Sequence, residues 1–321
     1  MTRIVVLDGH ALNPGDISWD EVASLGEAFT LHPRTEESEI LERSLGYDVI
    51  LTNKTPLGRE TLSRLPELKY IGILATGLDL VDVEYAKSRN VAVANAPSYG
   101  AASVAQFAFG LLLEITGHVG HHAATVKSGR WKSFPDWCHW DYPLIELDGK
   151  TMGIVGFGAI GRRVADLARA FGMRTLAYNG KRIPQDSGGG TEFTSLGEVL
   201  EAADVLSLHA PLTDETRGMI NRDSIALMKK GAILVNTARG GLIDEGDLAE
   251  ALKSGKLLAA GLDVLSSEPA ADDNPLVALD NCLITPHLAW SPREARIRLM
   301  KIAARNIRCY LEGRPENIVN P

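Results

Sequence analysis

Cysteine is scarce in this sequence, and no two cysteines form a Cys-x-x-Cys pair. The three cysteines, Cys138, Cys282 and Cys309, are an odd number spread widely over 321 residues. This pattern argues against a disulfide framework and against a metal site built from cysteines. It is typical of a reducing compartment, so we expect a cytoplasmic protein.

Long apolar runs are also missing. No uncharged apolar stretch reaches the roughly 18 residues that indicate a membrane span. Before Asp8 the only apolar run is Ile4–Leu7, which is too short for the core of a signal peptide. We therefore expect no membrane partner.

Positive charge is in deficit, because 33 lysines and arginines against 41 aspartates and glutamates give a net charge of −8. A protein this acidic has no global electrostatic attraction to nucleic acid or to anionic membranes. Any anionic ligand must therefore be held by a local arrangement of donors. Apolar residues make up 45% of the chain, which at this length is enough for two domains with cores of their own.

The apolar residues form short β-branched runs that alternate with amphipathic segments along the chain. Strands are predicted at Ile4–Leu7, Val49–Leu51, Tyr70–Leu74, Val91–Ala94, Thr151–Val155, Met173–Tyr178, Val205–His209, Ala232–Asn236, Ala259–Asp263 and Cys282–Thr285. Helices are predicted at Glu36–Leu45, Val83–Arg89, Val104 to about Val126, Arg162–Phe171 and Pro292 to about Glu312. This alternation predicts an α/β fold of parallel sheets with helices on their faces. The Pro- and Gly-containing run Asn95–Ser103 predicts a crossover between two parts.

The strongest local motif is the glycine pattern Gly156, Gly158 and Gly161, with Ala159 and Ile160 before the last glycine. It follows a predicted strand and opens a predicted helix. The first glycine permits a tight turn, the second lets a pyrophosphate approach the backbone, and the third lets helix and strand pack closely. Backbone N–H groups at the helix N-terminus would hold the phosphates, so even an acidic protein can bind a dinucleotide here.

The end of the next predicted strand bears on the choice of dinucleotide. An acid is expected there to bind the ribose 2′-hydroxyl of NAD, but Asn179 occupies the position. Lys181 and Arg182 follow it and could neutralise a 2′-phosphate, although basic residues also occur in exposed loops that bind no ligand. The sequence therefore favours NADP(H) over NAD(H).

Three polar residues, Arg239, Glu268 and His287, follow later predicted strands. Taken singly, Arg239 is more typical of a surface ion pair, Glu268 of a solvated acid, and His287 of a residue that satisfies a turn. Ligands of open α/β sheets bind beyond the carboxyl ends of strands, however, and these three lie downstream of the glycine pattern. Hydride transfer to a 2-oxo acid needs a cation for the carboxylate and a proton donor for the oxygen. Arginine and histidine supply these, and glutamate can keep the histidine protonated.

The order of the motifs resembles that of the D-isomer-specific 2-hydroxyacid dehydrogenases over nearly the whole chain. The matching segments are the glycine pattern, Asn236–Gly240, Gly261–Val264, Glu268-Pro269 and Thr285–His287. Two further segments, Leu12–Asp16 and Leu51–Pro56, are most similar to the glycerate dehydrogenase (hydroxypyruvate reductase) branch.

The resemblance implies two doubly wound parallel-sheet domains. A Rossmann dinucleotide-binding domain, 101–289, would be inserted in a flavodoxin-like substrate domain formed by 1–100 and 290–321. The activity would be hydride transfer between NAD(P)H and a small 2-oxo acid, with hydroxypyruvate or glyoxylate reduced to D-glycerate or glycolate. Another D-2-hydroxyacid specificity, such as that for D-lactate, and a nucleotide-sensing corepressor on the same fold remain alternatives.

The resemblance also implies a role for particular residues. His287 would be the acid/base, Glu268 its carboxylate partner and Arg239 the substrate anchor. The remaining residues fall into two groups. The backbone of Ala75, Thr76 and Gly77 would bind the substrate carboxylate. The cofactor would be lined by His209, Ala210, Pro211, Thr237, Ala238 and Asp263.

A histidine group and a tryptophan group fall outside these motifs. His118, His121 and His122 have helical spacing, but the Glu of a His-Glu-x-x-His motif is missing, so we predict no metal site.

The resemblance implies a homodimer through the long helix and the loop after it. Trp131, Trp137 and Trp140 could belong to the core, to the rim of the active site or to the dimer contact, and the resemblance favours the dimer contact.

Overall fold

The computed structural model describes residues 2–180 and 189–321, which divide into two compact units. Unit 1 comprises Met1–Gly100 and Trp290–Pro321, and unit 2 comprises Ala101–Ala289. Each unit is built on its own parallel sheet. The α/β fold predicted from the alternation of strands and helices is confirmed.

Unit 1 contains a five-stranded sheet in which every pairing is parallel. Its strands are β1 (Arg3–Val6), β2 (Ala28–Leu31), β3 (Val49–Thr52), β4 (Tyr70–Ile73) and β5 (Ala92–Ala94). Their order is β2-β1-β3-β4-β5, so the direction of winding changes between β1 and β3. The sequence pattern did not predict β2, because this edge strand has no fully buried residue and shows little apolar patterning.

The first five helices of unit 1 are short and cover both faces of its sheet. They are α1 (Gly9–Leu12), α2 (Asp20–Ala23), α3 (Ile40–Ser44), α4 (Arg59–Ser63) and α5 (Val83–Ser88). The single helix predicted over residues 36–45 is instead a 3-10 turn, Glu37–Glu39, followed by α3. Alternate strand residues supply the two cores, with Ile4 and Val6 on one side and Val5 and Leu7 on the other.

Unit 2 contains a seven-stranded sheet that is also wholly parallel. Its strands are β6 (Thr151–Val155), β7 (Arg174–Tyr178), β8 (Glu192–Phe193), β9 (Val205–Leu208), β10 (Ala232–Asn236), β11 (Leu257–Leu262) and β12 (Cys282–Ile284). The order is β12-β11-β10-β9-β6-β7-β8, so the winding direction changes between β6 and β9. All but the two-residue β8 were predicted to within two residues.

Unit 2 has helices packed on both faces of this sheet, together with two helices that bury no residue. They are α6 (Ala101–Gly117), α7 (Val119–Lys127), α8 (Arg130–Ser133), α9 (Ala159–Ala170), α10 (Leu196–Ala202), α11 (Arg222–Leu227) and α12 (Glu245–Lys253). The central strand β6 carries Gly153 where α10 crosses closely, since a Cβ there would lie 2.8 Å from the side chains of Val199 and Ala203. A larger residue at this position would push the helix off the sheet.

The long helix predicted from Val104 to about Val126 is broken into α6 and α7. His118 takes a left-handed conformation (φ 46°, ψ 41°) between them, and the two helices bend by 58°. Among the described residues, no single helix is long and apolar enough to cross a membrane. The bent pair α6 and α7 meets that test by length and composition alone.

The last helix of the described residues is α13 (Arg293–Leu311), which belongs to unit 1. Its buried residues Leu299, Ala303 and Ile307 pack in the same core as Tyr70 of β4. Pro292 is the N-cap, so the predicted start of this last helix is confirmed. The helix therefore completes the core of unit 1 with a segment from the far end of the chain.

Candidate active site

The carboxyl edge of the seven-stranded sheet collects the polar residues that follow its strands. All pairings are parallel, so every strand ends at this edge, and the change of winding lies between β6 and β9. Ligands of doubly wound sheets bind at such a position. The strand registers align Val155 with Leu208 and Leu208 with Asn236. The residues after them, Gly156, His209 and Thr237, are therefore neighbours along the edge.

The glycine loop after β6 is closely packed at its first and third glycines and open at its second. A Cβ on Gly156 (φ +92°) would lie 2.6 Å from the backbone N of Ala210, and a Cβ on Gly161 would lie 2.1 Å from the carbonyl O of Gly156. Nothing lies within 4 Å of a Cβ built on Gly158. Gly158 is the N-cap of α9 and has no side chain that could bond the first N–H groups of the helix. The N–H groups from Ala159 and Ile160 onward therefore have no side-chain cap and are available to a ligand.

The end of β7 is joined to this loop by a hydrogen bond. The backbone N–H of Phe157 donates to Oδ1 of Asn179 at 2.7 Å. The side chain of Asn179 thus holds the glycine loop against the second strand. Lys181 and Arg182, the residues expected to favour NADP(H), lie outside the described residues.

Two buried polar atoms without partners lie at the ends of β9 and β10. Nε2 of His209 is 2.8 Å from Oγ of Ser207, whereas its Nδ1 is buried and unpaired within the described residues. Oγ1 of Thr237 is likewise buried without a partner there. Burial lowers the pKa of His209 to about 3, so this ring is neutral at pH 7. Unpaired buried groups are costly, and a polar ligand at these strand ends would give them partners.

A buried asparagine, which sequence analysis did not single out, shapes the loop after β10. Asn236 is fully buried, its side chain accepts from the N–H of Ala238 at 3.0 Å, and it donates to the carbonyl of Arg239 at 2.9 Å. The sequence carried a signal for this residue, since Asn236 is the single polar residue in the strand sequence Ala-Ile-Leu-Val-Asn.

The loop after β9 begins with two further residues expected to line the cofactor. Ala210 is buried and Pro211 is exposed.

His287 and Glu268 meet directly. Nδ1 of His287 lies 2.7 Å from Oε2 of Glu268, and the two side chains are 28% and 37% exposed. The other oxygen, Oε1, accepts from the backbone N–H of Leu265 at 3.2 Å. A carboxylate on Nδ1 favours the proton there, which leaves Nε2 as the ring atom that can exchange a proton with a ligand.

The loop that carries Arg239 packs against the loop that carries Glu268. A Cβ on Gly240 would lie 1.9 Å from the carbonyl carbon of Leu265 and 2.3 Å from N of Ser266, so only glycine permits this approach. Nη1 of Arg239 donates to the carbonyl of Ala238 at 2.8 Å. The structure thus brings the three loops predicted to hold the site to one part of the sheet edge.

Asp263 lies at the end of β11 and is 1% exposed. Its carboxylate accepts hydrogen bonds from Thr285, Leu288 and Ala289, on both sides of His287. These are contacts within the protein, whereas the sequence resemblance implied a contact with the cofactor for this residue.

The loop expected to bind the substrate carboxylate lies in unit 1, after β4. The carbonyl of Ala75 accepts from N of Ala96 at 2.9 Å, and that of Thr76 accepts from Nδ2 of Asn95 at 2.8 Å. Thr76 is exposed and Gly77 is partly exposed. The carbonyls of Ala75 and Thr76 are thus occupied within unit 1.

The histidines that were weighed as a metal site have other partners. His121 pairs with Asp141 at 2.7 Å, and Nε2 of His122 accepts from the N–H of Asp141 at 3.2 Å. His118 is stacked on Tyr142. Among the described residues, no group of three or more His, Cys, Asp or Glu side chains could hold a metal ion.

Comparison with known proteins adds a family match to this geometry. A family profile described as "D-isomer specific 2-hydroxyacid dehydrogenase, NAD binding domain" matches residues 109–289, which lie within unit 2. The chain is also similar to a hydroxypyruvate reductase of Blautia hydrogenotrophica. The two are 50% identical over 320 residues, which covers 99% of each chain.

Solved structures of similar proteins contain either nicotinamide cofactor. An acyclic imino acid reductase in complex with NADPH and D-Arg has a TM-score of 0.86 at 30% identity, covering 99% of this chain and 100% of that chain. A D-lactate dehydrogenase from Aquifex aeolicus, complexed with NAD and lactic acid, has a TM-score of 0.84 at 29% identity and covers 99% of each chain.

The close packing of the glycine loop generates a prediction. Replacing Gly161→Ala would force a methyl group against the carbonyl of Gly156 and displace the loop. Overpacking of this kind typically costs about 1–3 kcal/mol, and if the loss falls on binding we expect NADH and NADPH to bind about 5- to 150-fold more weakly. Titration of protein fluorescence with each nucleotide measures this.

Gly197→Ala is the matched control for that substitution. Gly197 lies in α10 with nothing within 4 Å of a built Cβ, so its replacement should leave nucleotide affinity at the parent value. If Gly161→Ala also bound both nucleotides as the parent does, the glycine loop would not be the phosphate cradle.

Proposed function

The chain belongs to the family of D-isomer-specific 2-hydroxyacid dehydrogenases, and we propose that it reduces hydroxypyruvate and glyoxylate to D-glycerate and glycolate. Membership of this family makes it an oxidoreductase that uses a nicotinamide cofactor. The substrates are proposed because the similarity to a hydroxypyruvate reductase extends over the full chain.

The observation that carries this proposal is the 2.7 Å contact between Nδ1 of His287 and Oε2 of Glu268. It lies at the ends of β11 and β12, on the same edge of the sheet as the glycine loop. A histidine oriented by a carboxylate is the arrangement that general acid–base catalysis needs.

We propose that the residues of unit 2 divide the work of the reaction between them. A nicotinamide cofactor, held by Gly156, Gly158 and Gly161, supplies the hydride when bound. Reduction of a keto group also adds a proton to its oxygen, and the doubly protonated ring of His287 donates that proton from Nε2, which leaves the neutral ring with its proton on Nδ1. Glu268 keeps the imidazole in the required tautomer and orientation.

Arg239 is proposed to bind the substrate carboxylate. Its guanidinium can form a bidentate pair with a carboxylate, and its loop packs against the loop of Glu268 through Gly240. We further propose that Ala75, Thr76 and Gly77 bind substrate through their N–H groups. The carbonyls of Ala75 and Thr76 accept from residues 96 and 95, which fixes the loop, and its backbone N–H groups are donors of the kind that bind a carboxylate.

The two units are proposed to divide substrate and cofactor between them. Residues 101–289 would be the dinucleotide-binding domain, since they contain the glycine loop and the family match. Residues 1–100 and 290–321 would be the substrate domain. The remaining cofactor contacts are proposed for His209, Ala210, Pro211, Thr237, Ala238 and Asn179.

The choice of substrate and cofactor is tested by a panel. Oxidation of NADPH and of NADH is followed by absorbance with hydroxypyruvate, glyoxylate and pyruvate in parallel. We expect the highest kcat/KM with hydroxypyruvate, and a preference for NADPH because Asn179 replaces the acid that would repel a 2′-phosphate. Turnover with pyruvate alone would favour a D-lactate specificity, and no turnover with any acid would favour a binding protein.

The roles of the catalytic pair are tested by substitution. His287→Ala should lower kcat by about 10²–10⁴-fold, because a positioned acid is typically worth that much. Glu268→Gln should lower kcat by about 10–100-fold, as the loss of an orienting partner does. Steady-state kinetics with NADPH and hydroxypyruvate measure both variants.

Glu250→Gln, at an exposed position on α12, is the matched carboxylate control and should keep parental kcat. A His287→Ala variant with full turnover at neutral pH would exclude the histidine from proton transfer.

We propose that the chain forms a homodimer through the segment around α7 and α8. Three tryptophans there are strongly exposed, Trp131 at 50%, Trp137 at 85% and Trp140 at 65%. Exposed aromatic side chains grouped in this way are typical of a protein interface. A second copy of the chain would cover them.

Sedimentation velocity tests the dimer. The parent should sediment at twice the mass of one chain, and Trp137→Glu should shift the population toward monomer by placing a charge in the contact. Val277→Glu, at an exposed apolar residue of the same unit, is the control and should remain dimeric. A parent that is monomeric at micromolar concentration would contradict the proposal.

A cytoplasmic location is proposed from the cysteines. Cys138, Cys282 and Cys309 are all free thiols in the structure, which agrees with a reducing compartment. Recovery of the protein from outside the cell upon fractionation would contradict it.

A further inference from the structure

The turn that carries His287 has an unusual backbone. His287 takes φ +54°, in the left-handed region that residues other than glycine rarely adopt. Such a conformation persists only where the surrounding structure determines it, and it is concentrated at functional sites. The contacts that hold this turn therefore decide where the imidazole lies.

Those contacts converge on one residue, Asp263. Its Oδ1 accepts from Oγ1 of Thr285 at 2.7 Å and from N of Leu288 at 2.8 Å. Its Oδ2 accepts from N of Ala289 at 2.8 Å, and its carbonyl accepts from N of His287 at 3.0 Å. Every residue of the turn except Pro286 is thus bonded to Asp263.

The arrangement is a nest of N–H groups that closes on a carboxylate. Successive N–H groups after a left-handed residue point to the same side and bind an anion well. Here the anion is supplied by the protein itself, from the end of β11 next to β12. Asp263 is buried, so water does not compete for these bonds.

We propose that Asp263 is a positioning residue for the reaction, which acts by holding the 285–289 turn so that His287 stays on Glu268. This inference rests on the proposed function, in which His287 is the acid. It differs from a contact with the cofactor, the role that the sequence resemblance implied for Asp263. In the positioning role, loss of the carboxylate affects the reaction only through the imidazole.

The chemistry of the side chain explains why an amide cannot replace it. Both carboxylate oxygens of Asp263 accept hydrogen bonds. The three groups that face them are the hydroxyl of Thr285 and the N–H groups of Leu288 and Ala289, and in this structure all three act as donors. In Asp263→Asn one oxygen becomes an NH₂ group, which would face an N–H or O–H donor. The turn would lose a bond and gain a repulsion, although the size of the side chain is unchanged.

A double-mutant cycle tests the proposal. Asp263→Asn should lower kcat for hydroxypyruvate by about 10²-fold, which is the cost of a small misplacement of a catalytic group. In a His287→Ala background the same change should cost less than about threefold, since there is no imidazole left to misplace. Affinities for NADH and NADPH, measured by fluorescence, should change by less than about threefold.

A milder variant guards against loss of folding. Thr285→Val removes one of the three donors and should lower kcat by about tenfold, with the same dependence on His287. Thr175→Val is its control, because Thr175 is a buried threonine of β7 whose hydroxyl bonds Thr191 instead. It should keep the parental kcat.

A spectroscopic measurement separates this inference from the proposed function. In protein labelled with 15N-histidine, the signal missing from His287→Ala identifies this ring among the eight histidines. The signature of an Nδ1–H bonded to a carboxylate should be present in the parent and in Thr175→Val, and lost in Asp263→Asn. No nucleotide or substrate is needed.

The outcomes are distinct. Asp263→Asn would contradict the proposal if it lowered kcat equally in the parent and in the His287→Ala background. It would also do so if it weakened nucleotide binding enough to explain the loss of kcat. Either result would overturn the positioning role in favour of a cofactor contact. An unchanged His287 signal in Asp263→Asn would overturn it as well. A parent without NAD(P)H oxidation would remove the proposed function, while the histidine signal would still decide whether Asp263 positions the ring.

Discussion

The hydrogen bond between His287 and Glu268 joins two loops that follow the neighbouring strands β11 and β12. It can form only if both loops keep their places, because a hydrogen bond weakens steeply with distance and angle. The N–H of Leu265 fixes the carboxylate, and Gly240 allows the loop of Arg239 to pack against the same segment. The chemistry at the sheet edge thus depends on backbone contacts as much as on the side chains that carry it.

The proposed dinucleotide cradle would bind an anion through backbone N–H groups. The chain has a net charge of −8, yet its glycine loop presents backbone N–H groups to an anion. His209, at the neighbouring strand end, adds no charge at pH 7, since burial lowers its pKa to about 3. Local donors therefore replace a basic surface, and the rest of the protein can stay acidic.

Most of the fold could be predicted from the pattern of apolar runs, and the failures share a cause. Strand β2 was missed because an edge strand with little burial carries little apolar pattern. The break between α6 and α7 was missed because His118 adopts a left-handed conformation that its residue type does not indicate. In both places contacts distant in sequence, rather than local preference, determine the conformation.

Sequence alone determined which residues could carry the chemistry. The glycine spacing, Arg239, Glu268 and His287 are readable because each follows a strand, and parallel strands end at one edge. Tertiary structure decided what Asp263 and Asn236 bond to, since their partners are backbone groups whose positions no residue pattern encodes. A pattern reports the preference of each residue for its surroundings, whereas a hydrogen bond requires two atoms to meet. The two atoms come within hydrogen-bond distance only when the strands pair and the loops pack.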